Sequence, residues 1–152
     1  MMELIKVGER APDFTLEDQQ GEKVSLKDYK GKRVLIAWHP LAWTSVCTDQ
    51  MRDLEREYER ITEKGIEAVL ALSVDAQPSK AVWAKALALE NIKILADFEP
   101  KGEVSKAYGN YLEKMGASGR AVVVVNEEAK ISYAKQYEPS ELPDIEEIIE
   151  NL

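Results

Sequence analysis

The stretch Pro40-Leu41-Ala42-Trp43-Thr44-Ser45-Val46-Cys47 ends on the chain's single cysteine. Two readings of Cys47 compete. A free cysteine is among the most buried residue types and packs as a small apolar side chain. On that reading Cys47 only heads the apolar stripe of a helix. The other reading makes it a nucleophile, and its neighbours favour that. Cys47 falls in the first turn of a predicted helix, where unpaired backbone N–H groups and the positive end of the dipole favour an anion. Such a place promotes the thiolate, which is the reactive form. Thr44 lies one turn earlier on the same side. Its hydroxyl can reach the sulfur or a group bound there, and it can also cap the helix by accepting from a backbone N–H. Pro40 stiffens the entry loop and brings no N–H that would compete as a donor. Packing alone asks for neither that proline nor that threonine.

The surrounding elements are legible from periodicity. Residues Phe14 to Leu26 form two short β-like runs around a polar turn, which predicts a hairpin. Arg33 to Trp38 is a short apolar run suited to a buried strand. From Ser45 to about Lys64 the pattern is helical: Cys47, Met51, Leu54, Tyr58 and Ile61 recur at spacings of four, three, four and three. Gly65 ends that helix. A second buried strand spans Ile66 to Val74, and a second helix Ser79 to Leu89 is entered through Pro78. Ile92 to Asp97 is a further strand, and a short helix stops at Gly109. Asn110 to Gly119 reads as a loop. Arg120 to Asn126 and Lys130 to Tyr137 form a hairpin, and a last helix spans about Ser140 to Leu152, with Leu142, Ile145, Ile148, Ile149 and Leu152 on one stripe.

A βαβ unit followed by ββα is a thioredoxin-like plan: α/β, a central mixed β-sheet flanked by helices, with an extra N-terminal β-hairpin. Strand–helix–strand steps make neighbouring strands parallel. In open sheets of this kind sites gather beyond the carboxyl ends of the parallel strands. The loop from His39 to Cys47 lies at such an end. The whole of residues 1–152 reads as a single domain, a length that suffices for a core.

Composition narrows the function further. Acidic residues outnumber basic ones 28 to 20, and the net charge of -8 repels phosphate backbones and anionic lipid. No nucleic-acid or membrane partner is expected. The apolar runs are far too short to span a bilayer, and the start of the chain has no signal-peptide character. One cysteine cannot build an internal disulfide framework, which agrees with a cytoplasmic location. One cysteine and one histidine cannot build a structural zinc site, so no metal or cofactor is expected.

The triplet Pro40, Thr44, Cys47, spaced P-x-x-x-T-x-x-C, resembles the active-site motif of the peroxiredoxins, thiol-dependent peroxidases on a thioredoxin-like fold. The resemblance extends over nearly the whole chain. It includes the blocks "GERAPDFTLEDQQGEKVSLKDYKGKRVL", "SVDAQPSKAVWAK", "ILADFEPKGEVSKAYG" and "GRAVVVVNEEAKISY" in the family's order. The family uses an arginine that begins a late strand, and Arg120 occupies that place. Without the resemblance it would read as a solvated loop charge. The resemblance implies that Arg120 stabilises the Cys47 thiolate and holds a peroxide oxygen. It also exposes departures. Gln50 stands where many relatives carry glutamate, and His39 stands where an aromatic residue such as tyrosine is common. His39 could add pH dependence, but the expectation is a strand-end residue with a satisfied hydrogen bond. Trp43 is expected to wall the pocket or an interface, and Trp38 and Trp83 to pack. The short tail after Gln136 favours a homodimer over a large ring.

The implied chemistry is attack of Cys47 on hydrogen peroxide or an organic hydroperoxide, giving a sulfenic acid. With no second cysteine, an external thiol, either a small thiol or a thioredoxin-type protein, must complete the cycle. Two rivals stand beside this reading. A monothiol transferase on the same fold would act on mixed disulfides; a disulfide reductase would need C-x-x-C, and Gln50 occupies the second cysteine's place. A thioredoxin-like docking module would need only a buried Cys47.

Overall fold

The computed structural model describes residues 3–152. At its centre is a seven-stranded mixed sheet. The middle strands β3 (Arg33–Trp38), β4 (Ile66–Ser73) and β5 (Lys93–Ala96) run parallel. The strand β8 (Arg120–Val125) lies antiparallel to β3, and β9 (Ile131–Tyr137) antiparallel to β8. The N-terminal hairpin of β1 (Thr15–Glu17) and β2 (Lys23–Ser25) extends the other edge beside β5.

The central strands read as unbroken apolar runs because both faces of the sheet are covered. Strand alternation divides them between two cores. Leu35, Ala37, Val69, Ala71, Ile94, Val122 and Val124 face helices α1 (Ser45–Arg56), α2 (Tyr58–Glu63), α3 (Gln77–Ala86) and α5 (Ile145–Glu150). Val34, Ile36, Trp38, Leu70, Leu72, Ala121 and Val123 face the N-terminal segment and α4 (Glu103–Ala107). Gly109, at φ +70, lets the chain leave α4 beside that segment; a Cβ there would collide with the Glu3 carbonyl oxygen.

The expected elements are present, with four corrections. The helix expected from Ser45 to Lys64 is two, bent at Glu57 (ψ 12), and no glycine or proline marks the bend. Its apolar stripe survives, since Cys47, Met51, Leu54 and Ile61 all enter one core. The second helix starts at Gln77 and stops at Ala86, so Pro78 lies inside its first turn, where a missing N–H costs nothing. The expected loop from Asn110 contains a small ladder, β6 (Tyr111–Leu112) against β7 (Ala117–Ser118). The last helix begins only at Ile145, because Pro143 disfavours helix before it and the Asp144 carboxylate caps the N–H groups of Glu146 and Glu147. Leu142 therefore lies outside the stripe and is exposed.

Candidate active site

Strand β3 delivers the chain to His39 at its carboxyl end, and α1 begins at Ser45, so the connecting loop is short. Cys47 is the third residue of α1 and is 0% exposed, inside the core cluster that also holds Ala42, Met51, Trp83 and Ala84. Burial alone therefore agrees with either reading of the cysteine. What separates them is the group beside it. Arg120 opens β8, opposite the end of β3, where Trp38 pairs with Ala121. It shares strand parity with Val122 and Val124, so its side chain enters the same core as Cys47.

Arg120 is 2% exposed, and each nitrogen of its guanidinium donates at least one hydrogen bond. Its Nη2 donates to Cys47 Sγ at 3.3 Å and to the Pro139 carbonyl at 2.7 Å, Nε donates to the same carbonyl at 3.1 Å, and Nη1 donates to Gln50 Oε1 at 2.5 Å. Gln50 lies three residues after Cys47 on the same helix face and its Nε2 donates to the Trp38 carbonyl at 3.3 Å. Arg120 itself is held in register by Gln136, whose Nε2 donates to the Arg120 carbonyl at 3.0 Å. A buried guanidinium without a carboxylate partner is costly unless an anion or dipoles meet it. Here two neutral oxygens and the sulfur do so, which is an arrangement suited to an anionic sulfur.

The other expected site residues are placed unequally. Pro40 is buried at the loop entry. Thr44 is exposed and precedes α1 as its N-cap residue, but its side chain accepts no capping bond. Its Oγ1 donates to the Leu41 carbonyl at 2.8 Å, closing the turn of the loop, and makes no hydrogen bond to Cys47. Within that turn Trp43 takes a left-handed backbone, φ 71. Trp43 is held there by its Nε1–H, which donates to Ser79 Oγ at 3.0 Å, and by packing on Trp83. It is half exposed, while Trp38 and Trp83 are buried as expected.

His39 departs from expectation. Its backbone N–H continues the ladder to the Leu72 carbonyl, but neither ring nitrogen has a hydrogen-bond partner among the described residues. The ring lies against Trp83 with centroids 5.3 Å apart. Burial first, then the charges of Lys80 and Arg120, push its pKa well below the ordinary 6.5. His39 is thus neutral at physiological pH and does not supply a titration there.

Two participants escaped the sequence reading. The Pro139 carbonyl is a backbone acceptor and carries no sequence signature. Lys80 did carry one: it precedes Trp83 by three and Ala84 by four, inside an apolar helical stripe. Lys80 is 0% exposed, and its Nζ has no hydrogen-bond partner among the described residues. The described residues hold no cluster of three or more side chains that could bind a metal ion.

Comparison with known proteins points to one family and one fold. The model of the AhpC/TSA family matches residues 7–134. The chain is 39% identical over 145 residues to a Mycobacterium tuberculosis protein named alkyl hydroperoxide reductase E, covering 93% of this chain and 92% of that protein. It is 33% identical over 148 residues to an Oceanobacillus iheyensis protein named thiol peroxidase, covering 97% and 88%. Among solved structures, the reduced 2-Cys peroxiredoxin of Plasmodium vivax superposes with a TM-score of 0.84 at 25% identity, over 94% of this chain and 78% of that one. Enterococcus faecalis AhpC superposes with a TM-score of 0.88 at 22% identity, over 97% and 90%.

Proposed function

The chain belongs to the AhpC/TSA family, and on that premise we propose that it reduces peroxides through Cys47 and an external thiol. The activity is thiol-dependent peroxide reduction. The observation that supports assigning it to these residues is the N–H of Arg120 aimed at the sulfur from 3.3 Å within a buried core. The Cys47 thiolate attacks the terminal peroxide oxygen, the S–O bond forms as the O–O bond breaks, and hydroxide or alkoxide leaves. Sulfur is oxidised by two electrons to a sulfenic acid. Arg120 and the first-turn N–H of Cys47 are the donors for the charge that develops on oxygen. Thr44 joins them once its hydroxyl leaves the Leu41 carbonyl, and Pro40 walls the loop side of the pocket.

No second cysteine is present, so a small thiol or a thioredoxin-type protein attacks the sulfenic sulfur and a second thiol releases Cys47. We assign the protein to a reducing, cytoplasmic setting, acting as one domain in a homodimer. The exposed Leu41, Trp43 and Val82 beside the active-site loop support association there. Among the described residues no helix is long and apolar enough to cross a membrane.

Cys47→Ser is expected to abolish peroxide consumption; a variant that still consumes peroxide overturns the role of Cys47. Mass spectrometry of the Cys47 peptide is expected to show one added oxygen at low peroxide and two at high peroxide without thiol. Turnover of a mixed disulfide faster than of peroxide would instead favour the transferase reading.

A further inference from the structure

The second buried cation beside the site is Lys80. The active-site loop is tied to the start of α3 at two points just before this residue. The Ala42 N–H donates to Asp75 Oδ2 at 2.8 Å, before the helix, and the Trp43 indole donates to Ser79 Oγ within it. From α3, Trp83 and Ala84 enter the core cluster of Cys47, and Lys80 lies one turn before them on the same face. Lys80 is thus buried beside the core that holds Cys47, and its amine has no hydrogen-bond partner among the described residues.

The charged groups around it are few. Asp75 follows β4, Asp97 follows β5, Cys47 comes from α1, and His39 ends β3. Both carboxylates are engaged elsewhere: Asp75 Oδ2 accepts from Ser73 Oγ at 2.5 Å, and Asp97 accepts from the N–H groups of Val104 and Ser105 and from Ser105 Oγ. Neither makes an ion pair with Lys80. His39 is neutral. Cys47 is therefore the one group facing the amine whose charge changes during the proposed reaction.

We propose that Lys80 is the proton-carrying partner of Cys47: its ammonium balances the sulfur while the sulfur is anionic, and it gives up its proton when the sulfur becomes a neutral sulfenic acid. The inference rests on the peroxidase reading of Cys47. The step balances. Thiolate, hydroperoxide and ammonium give sulfenic acid, alcohol or water, and neutral amine; the amine's proton ends on the leaving oxygen, directly or through solvent. In the reductive half, the thiol released by the second exchange returns its proton to the amine. The thiolate and the ammonium charge thus disappear together, while Arg120 keeps its charge against the Pro139 carbonyl and Gln50 Oε1. Arg120 cannot take this part, because a guanidinium keeps its proton throughout. Burial has already pushed the Lys80 pKa down to about 7, against the opposing pull of Asp75, Asp97 and Cys47, so either state is accessible at neutral pH.

The test is a 13C NMR titration of the Lys80 ε-carbon in the full-length protein, assigned through bonds from its own backbone. Three samples are compared: reduced protein, protein oxidised with one equivalent of hydrogen peroxide, and Cys47→Ser. The expected result is a near-neutral titration in the reduced protein. The proton affinity then falls in both other samples by about threefold or more, a shift of about half a pH unit. An unchanged titration midpoint across the three samples, or a Lys80 that stays charged to pH 9, overturns the proposal. Peroxide loss is followed in the same wild-type sample. Consumption with an unmoved Lys80 resonance sinks this inference and leaves the peroxidase reading intact. Absence of consumption sinks the peroxidase reading, while the comparison of reduced protein with Cys47→Ser still reports whether the two groups are coupled.

Discussion

Arg120 and Lys80 are both buried at the end of the sheet where the cysteine loop lies, yet Arg120 donates to the Pro139 carbonyl, Gln50 and Cys47, while Lys80 donates to nothing among the described residues. The difference follows from the two side chains. A guanidinium is planar, always charged and able to serve several acceptors from one position. Set on a strand end and tied on every nitrogen, it gives the sulfur a donor of fixed place and fixed charge. An ammonium without partners cannot be held so cheaply in a core, and its charge becomes conditional on pH and on its neighbours. One flank of the site is therefore a permanent electrostatic support and the other a variable one.

The hardest blow to this contrast is Arg120→Met. It removes the donor to the sulfur and leaves Gln50 Oε1 and the Pro139 carbonyl without their cation. kcat/KM for peroxide is expected to fall by about 100- to 1,000-fold, the range for losing one preorganised donor. A loss smaller than tenfold in steady-state kinetics would mean that the fixed cation is dispensable.

Lys80→Met tests the other flank through stability. The folded amine has a pKa of about 7 and the unfolded one the ordinary 10.5. Between those values the unfolded chain binds a proton that the folded chain does not, so wild-type stability rises with pH, by up to ~1.4 kcal/mol per pH unit. Below about pH 7 both states hold the proton and this slope vanishes. Urea unfolding of Lys80→Met between pH 7 and 9 is expected to lack the rise and to show higher stability at pH 7, since an apolar chain replaces a buried amine. A retained slope would assign it to another group.

Gln50→Leu separates positioning from charge. It leaves Arg120 Nη1 without its acceptor, and a loss of about 1–3 kcal/mol in stability is expected from the stranded donor. kcat/KM should drop by no more than about tenfold, because the bond to the sulfur remains. The smallest effect belongs to Arg60→Ala. Its bidentate pair with Glu146 joins α2 to α5 at the surface, far from the site in chemistry if not in sequence. Exposed pairs contribute little and are screened, so peroxide kinetics should be unchanged and any loss of Tm visible only at low salt.

The strand runs were readable because a sheet covered on both faces leaves long apolar stretches, and the helical stripe from Cys47 survived even where its helix bends. The ends of elements were less readable. Pro143 and Asp144 together mark the true start of α5, but the apolar stripe extrapolated past them to Ser140. The short ladder at Tyr111 and Ala117 has too few residues for any period to emerge.

The amino-acid sequence by itself determined the chemistry available here: one thiol, at the mouth of a helix, with Pro40 and Thr44 at their spacing and an arginine opening a late strand. Local rules suffice for that, since helix entry and strand parity act over a few residues. Only the tertiary structure decided which groups meet the sulfur. It brought Arg120 to 3.3 Å across 73 residues of chain, turned the Thr44 hydroxyl to Leu41, left both ring nitrogens of His39 without a partner among the described residues, and enclosed Lys80 beneath the loop. Those outcomes depend on how two cores close on a common sheet, and burial at that distance along the chain has no local signature.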